Sequence, residues 1–88
     1  MNIDTTHERN PIAGGWDVTV IATTDKGESI ANMRVEINGD SVWNQAIDPP
    51  VHKWQNQLTA IGRYPEHNRL VVTATAPDGS PYIAEDNW

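Results

Sequence analysis

The sequence predicts an all-β chain folded as an antiparallel sandwich, and three observations predict it. Trp16–Thr24, Met33–Asn38 and Leu70–Ala76 each alternate apolar and polar side chains with a period of two. Turn-forming residues punctuate the chain at Asp25-Lys26-Gly27, Asn38-Gly39, Asp48-Pro49-Pro50 and Pro77-Asp78-Gly79. No segment carries an apolar stripe at helical spacing. Together these features describe six to seven short strands packed as two sheets.

Taken in order, residues 1–15 are polar, contain Pro11 and end in Gly14-Gly15, so they read as an arm. At most one short edge strand, around Ile3 to Thr6, is expected there. The domain proper is expected to span residues 16–88. In the first regular strand Trp16, Val18, Val20 and Ala22 share one face, and Asp17, Thr19 and Thr23 share the other. Met33, Val35 and Ile37 alternate with Arg34, Glu36 and Asn38, and Asn38-Gly39 follows. Both turn residues tolerate the positive φ of a type I′ hairpin, so Asp40 to Ala46 should return alongside. A two-residue turn with regular pairing sets Val42 opposite Val35 and Trp43 opposite Arg34. That register would lay the Trp43 indole over the Arg34 guanidinium on the outer surface.

Asp48-Pro49-Pro50 should interrupt the ladder, because proline has no backbone donor. Val51 to Leu58 is ambiguous, with Trp54 as its anchor, and Ile61 to Asn68 reads as a connection. Leu70, Val72 and Ala74 form the inward row of the next strand, and Tyr82 to Asp86 the last. The segments VTVIATTDKG at 18–27 and VVTATAPDG at 71–79 echo each other. Two central strands leaving the core at one end account for this better than an internal repeat does.

Composition bounds the function. At 88 residues there is room for one core, and about 60–65% of the unfolded chain's surface can be buried. Phe is absent, so Trp and Tyr must supply the bulky packing groups. The net charge is −6, and the six basic residues (Arg9, Lys26, Arg34, Lys53, Arg63 and Arg69) are scattered. Nucleic-acid binding needs clustered positive charge and is not expected; an acidic surface also disfavours anionic membranes. Without cysteine there can be no disulfide framework, thiol nucleophile or thiolate zinc site. No apolar run reaches the ~18 residues of a membrane span. Met1 to Gly15 lacks the basic start and apolar stretch of a signal peptide, so either the protein stays where it is made or it is a domain of a longer exported chain; the expected setting is the second, at the cell surface or outside the cell.

The motif order resembles the bacterial immunoglobulin-like (Big-type) domains. The resemblance rests on Val18-Thr19-Val20-Ile21-Ala22 with Asp25 and Gly27, then Val35-Glu36-Ile37-Asn38-Gly39. Pro49-Pro50 ahead of Trp54, and Asn68, Leu70, Val72, Ala74 and Asp78-Gly79, complete the set, over roughly residues 16–80. It departs from the family in its short first strand and in a long segment at Gln55 to His67. The resemblance implies an immunoglobulin-like Greek-key sandwich that serves as a spacer, adhesion or carbohydrate-associated module, with no catalytic residues.

The residues themselves point the same way. Ser29, Ser41 and Ser80 sit in or beside turns, and His7, His52 and His67 are isolated, so no catalytic triad is expected. No cofactor is expected. Two loops of such a sandwich share a pole, which would gather Asp25, Glu28 and Asp78 into a calcium-like oxygen set. The Asp-Gly turns explain the same residues without a metal, and that explanation is favoured. For ligand contact the candidates are Trp43, Arg34, Tyr64 and Trp88, with Trp16 and Trp54 kept as buried anchors. The expected role is a non-catalytic protein-binding, adhesion or spacer module whose partner is a protein or a neighbouring domain. A carbohydrate-binding module using exposed tryptophans is the alternative, and a small stand-alone inhibitor or immunity-type protein the second.

Overall fold

The computed structural model describes residues 1–62 and 64–88. It contains seven strands: β1 (Asn2–Arg9), β2 (Trp16–Thr23), β3 (Ile30–Ile37), β4 (Asp40–Val51), β5 (Lys53–Ile61), β6 (Arg69–Thr75) and β7 (Pro81–Asn87). They form two antiparallel sheets, β1-β2-β5 and β4-β3-β6-β7. The chain passes between sheets after β2, β4 and β5, giving the immunoglobulin-like Greek-key sandwich. Strand β4 lies beside β3 rather than beside β5.

The alternating rows supply the core. Val18, Val20 and Ala22 of β2 face Met33, Val35 and Ile37 of β3 and Leu70, Val72 and Ala74 of β6, joined by Ile30 and Leu58; all are buried. Fully burying each Val, Leu or Ile contributes about 1.5–3 kcal/mol. These central strands carry the stability, since each lies between two neighbours.

Two expectations change. The N-terminal residues are not an arm with a short strand: β1 pairs with β2 along all eight residues, from Asn2↔Thr23 to Arg9↔Trp16. Its inward positions are Ile3, Thr5 and His7, opposite Ala22, Val20 and Val18. Only one of those three is apolar, so alternation could not announce the strand.

The hairpin turn forms as expected, with Asn38 at φ 52° and Gly39 at φ 85°. The register beyond it does not. Glu36 faces Ser41 but Val35 faces Trp43, so Val42 is an extra residue in a β-bulge. A one-residue slip exchanges the faces of a strand. Trp43 therefore turns inward beside Val35, and Asn44 takes the place opposite Arg34. The Trp43–Arg34 stack on the outer surface does not form; Arg34 Nε instead lies 3.3 Å from Glu36 Oε1.

The proline segment interrupts the register, as its chemistry demands. The β3–β4 ladder skips from Asn32↔Ala46 to Ile30↔Val51, and the Asp48–Pro49 peptide bond is cis. After His52 the chain has changed sheets and runs as β5, where Trp54 faces Ala22. The connection to β6 follows Ile61, with Arg63 outside the described residues.

Candidate functional site

The sandwich has two open sides, each where an edge strand of one sheet meets an edge strand of the other. Tryptophans close both. On the β1–β7 side the His7 ring stacks on Trp88, with centroids 4.1 Å apart and an interplanar angle of 7°. Trp16 sets its edge against both rings, at 5.5 and 5.7 Å. Beside them Thr5 Oγ1 donates to Asp86 Oδ2 at 3.1 Å, and His7 Nδ1 lies 3.6 Å from the same oxygen. On the β4–β5 side the Trp43 and Trp54 rings meet at 6.3 Å. All four tryptophans are partly buried against the core. The Nε1 atoms of Trp43 and Trp88 are buried with no acceptor among the described residues.

The β4–β5 side stays open at the hairpin end. A cleft of about 460 Å³ lies there, lined by Ile37, Val42, Ala60, Ile61 and Gly62, with Asn38, Asp40 and Tyr64 completing its wall. Irregularities on both flanking strands shape it. One is the Val42 bulge. The other is an extra residue in β5, where Trp16 pairs with Ile61 but Val18 pairs with Leu58. Ala60 takes φ 56°, a conformation uncommon outside glycine, and its N–H donates to Asp17 Oδ1 at 3.1 Å. Gly62 follows at φ 80°, where a Cβ would come within 3.0 Å of Ile37 Cδ1 and 3.1 Å of Asn68 Oδ1. Only glycine fits.

A polar network anchors this end of the molecule. Asn68 is 1% exposed, and its Nδ2 donates to the Tyr64 carbonyl at 2.9 Å while its Oδ1 accepts from Asn38 Nδ2 at 3.0 Å. Its backbone exchanges two hydrogen bonds with Trp88, at 2.7 and 3.1 Å. Asn38 in turn accepts the Arg69 N–H at 2.9 Å, and Trp16 Nε1 donates to the Tyr64 carbonyl at 2.9 Å. Two side chains thus converge on one carbonyl. They fix the Tyr64 backbone while its ring stays 53% exposed at the cleft.

At the opposite pole, Asp25 and Glu28 do come together. Their oxygens accept from the Met1 ammonium, at 2.7 Å for Asp25 Oδ2 and 2.8 Å for Glu28 Oε1. Glu28 Oε1 also accepts the Asp25 N–H at 2.9 Å, within a turn closed by the Glu28 N–H on the Asp25 carbonyl. Hydrogen bonding and charge from the ammonium hold the Asp25 carboxyl below its usual range, and the two carboxylates raise the Met1 amine above its own. Asp78 serves its own turn: Oδ1 accepts the Ser80 N–H at 2.9 Å, and this contact with Ser80 lowers its pKa. Among the described residues no three His, Asp or Glu side chains stand close enough to hold a metal ion. The calcium set of Asp25, Glu28 and Asp78 is therefore not assembled.

The four proposed ligand contacts are dispersed. Trp43 lies against the core between β4 and β5, and Arg34 lies on the outer face of the four-stranded sheet. Tyr64 and Trp88 are both tied to Asn68 through their backbones, but Trp88 is committed to His7. Of the four, Tyr64 alone lines the cleft. Sequence reasoning missed Asn68, Asp40 and Gly62. The available signals were an Asn inside a connection and a lone Gly after a strand, and neither names a cleft. The chain matches no family model and no curated protein.

Proposed function

We propose that this domain is a non-catalytic interaction and spacer module, one unit of a longer surface or secreted chain of a bacterium or phage. The observation that carries the reading is the placement of the chain ends. Strand β1 begins at the pole of the β2–β3 turn, where Asn2 pairs with Thr23, whereas Trp88 is paired with Asn68 at the pole of the β3–β4 hairpin. The molecule measures 40 × 20 × 19 Å, so a chain entering at one end and leaving at the other advances along the long axis. Units joined in this way stack in series, which is what a spacer requires.

The tryptophans support this reading over carbohydrate binding. A sugar platform needs exposed indole faces in a row, and here the indoles are spent on closing the two sides of the sandwich. Small-angle scattering from two copies joined Trp88 to Met1 tests the spacer role. Serial stacking gives a maximum dimension of about 80 Å, twice the 40 Å axis. A tandem folded back side by side, near the single-domain length, would contradict it.

A further inference from the structure

We infer that the cleft between β4 and β5 is a recognition pocket for a lysine or arginine side chain, presented by an extended segment of a partner protein. The inference rests on the interaction half of the proposed function and names the chemistry of the partner.

Three features carry it. The first is a shape held in place before any ligand arrives. The Val42 bulge and the extra residue near Ala60 lie on the two edge strands that flank the cleft, and bulges commonly re-aim side chains beside binding sites. Ala60 in a left-handed conformation is a local cost that the surrounding contacts sustain, through Asp17 on its N–H. The cavity volume falls within the ordinary range of binding pockets.

The second is the division of chemistry within the pocket. Ile37, Val42, Ala60 and Ile61 give an apolar wall that suits an aliphatic stem. Asp40 is the one charged side chain among the described lining residues, and it is exposed. The Tyr64 ring is exposed too, on a backbone that Trp16 and Asn68 pin from two sides. A carboxylate and an aromatic face on the wall of one cleft can receive a cationic head, and the pinned Tyr64 backbone keeps the ring at the site. A long basic side chain is the residue type that offers both stem and head.

The third is the charge of the whole domain. At −6 it attracts cationic segments and repels acidic ones, which favours encounter with a basic partner.

Titration of the 15N-labelled domain with the capped tripeptide Ac-Gly-Arg-Gly-NH2 tests this, with Ac-Gly-norleucine-Gly-NH2 as the uncharged counterpart. The arginine peptide should shift the amide signals of Asn38, Asp40, Ile61 and Gly62 and leave Asp25, Lys26 and Gly27 at the far pole unmoved. D40N and Y64A should each weaken its binding by about threefold or more, and added salt should weaken it further. Equal binding of the norleucine peptide overturns the assignment, as does an undisturbed cleft at tens of millimolar peptide. Either failure leaves the spacer reading untouched, because the tandem scattering decides that separately.

Discussion

Replacing Asn68 with alanine removes the one buried polar side chain among the described residues and both hydrogen bonds it makes. The two losses are unequal. The Tyr64 carbonyl keeps the Trp16 indole as a donor, so its share is an ordinary net hydrogen bond of about 1 kcal/mol. Asn38 Nδ2 is left without its partner in a part-buried position, which costs about 1–3 kcal/mol. The sum is about 2–4 kcal/mol, against a total of about 4–13 kcal/mol for a chain of this length. Urea unfolding followed by tryptophan emission measures it directly, with the midpoint falling and the slope unchanged. N68D keeps an acceptor for Asn38 but buries a carboxylate whose second oxygen faces the Tyr64 carbonyl, so it should be at least as destabilising as N68A. Stability of N68A within about 0.5 kcal/mol of wild type would refute the view that this network anchors the hairpin pole.

Three further substitutions probe other parts of the structure. G62A forces a Cβ against Ile37 and Asn68 at φ 80° and should cost about 1–3 kcal/mol by thermal melt; a neutral result would mean that the cleft wall yields easily. W43F removes a buried N–H that has no acceptor while keeping most of the ring, so it should stay within about 1 kcal/mol of wild type, whereas W43A should lose about 3 kcal/mol or more. For Asp25 the sign follows from its lowered pKa. The Met1–Asp25 contact stabilises the fold above the carboxyl's ordinary value of 3.8 and is lost as pH falls through its depressed folded value. The Met1 amine is raised, so its contribution is complete below 8.0 and disappears as pH rises through its higher folded value. In the 88-residue chain the melting difference between wild type and D25N should therefore be largest between those limits; a difference that persists at pH 2 would contradict the ion pair.

The parts of the fold that could be read from the sequence are those where alternation and burial coincide. Val18/Val20/Ala22, Met33/Val35/Ile37 and Leu70/Val72/Ala74 lie inward in the structure as their spacing requires. Strand β1 was expected only around Ile3 to Thr6, and its full length was not legible because hydrogen bonding to β2, not apolar burial, holds residues such as Thr5 and His7 at inward positions. The Val42 bulge has no local signature: nothing in Asp40–Ala46 distinguishes a regular ladder from one with an extra residue, yet the difference turns Trp43 from the outer face to a partly buried place against the core. The cleft was hidden for the same reason, since its walls come from two bulged edge strands of different sheets. His7 and Trp88 are 81 positions apart, and only the completed sandwich brings them into contact.

The closure of the β4–β5 side and the cleft beside it both depend on how β4 is set against β3, and nuclear Overhauser contacts from the Trp43 indole test that most directly. The bulged register predicts cross-peaks from its ring protons to the Val35 methyls and to the Trp54 ring. Cross-peaks from that ring to the Arg34 side chain, with none to Val35 or Trp54, would place the indole outside the sandwich and remove the cleft with it.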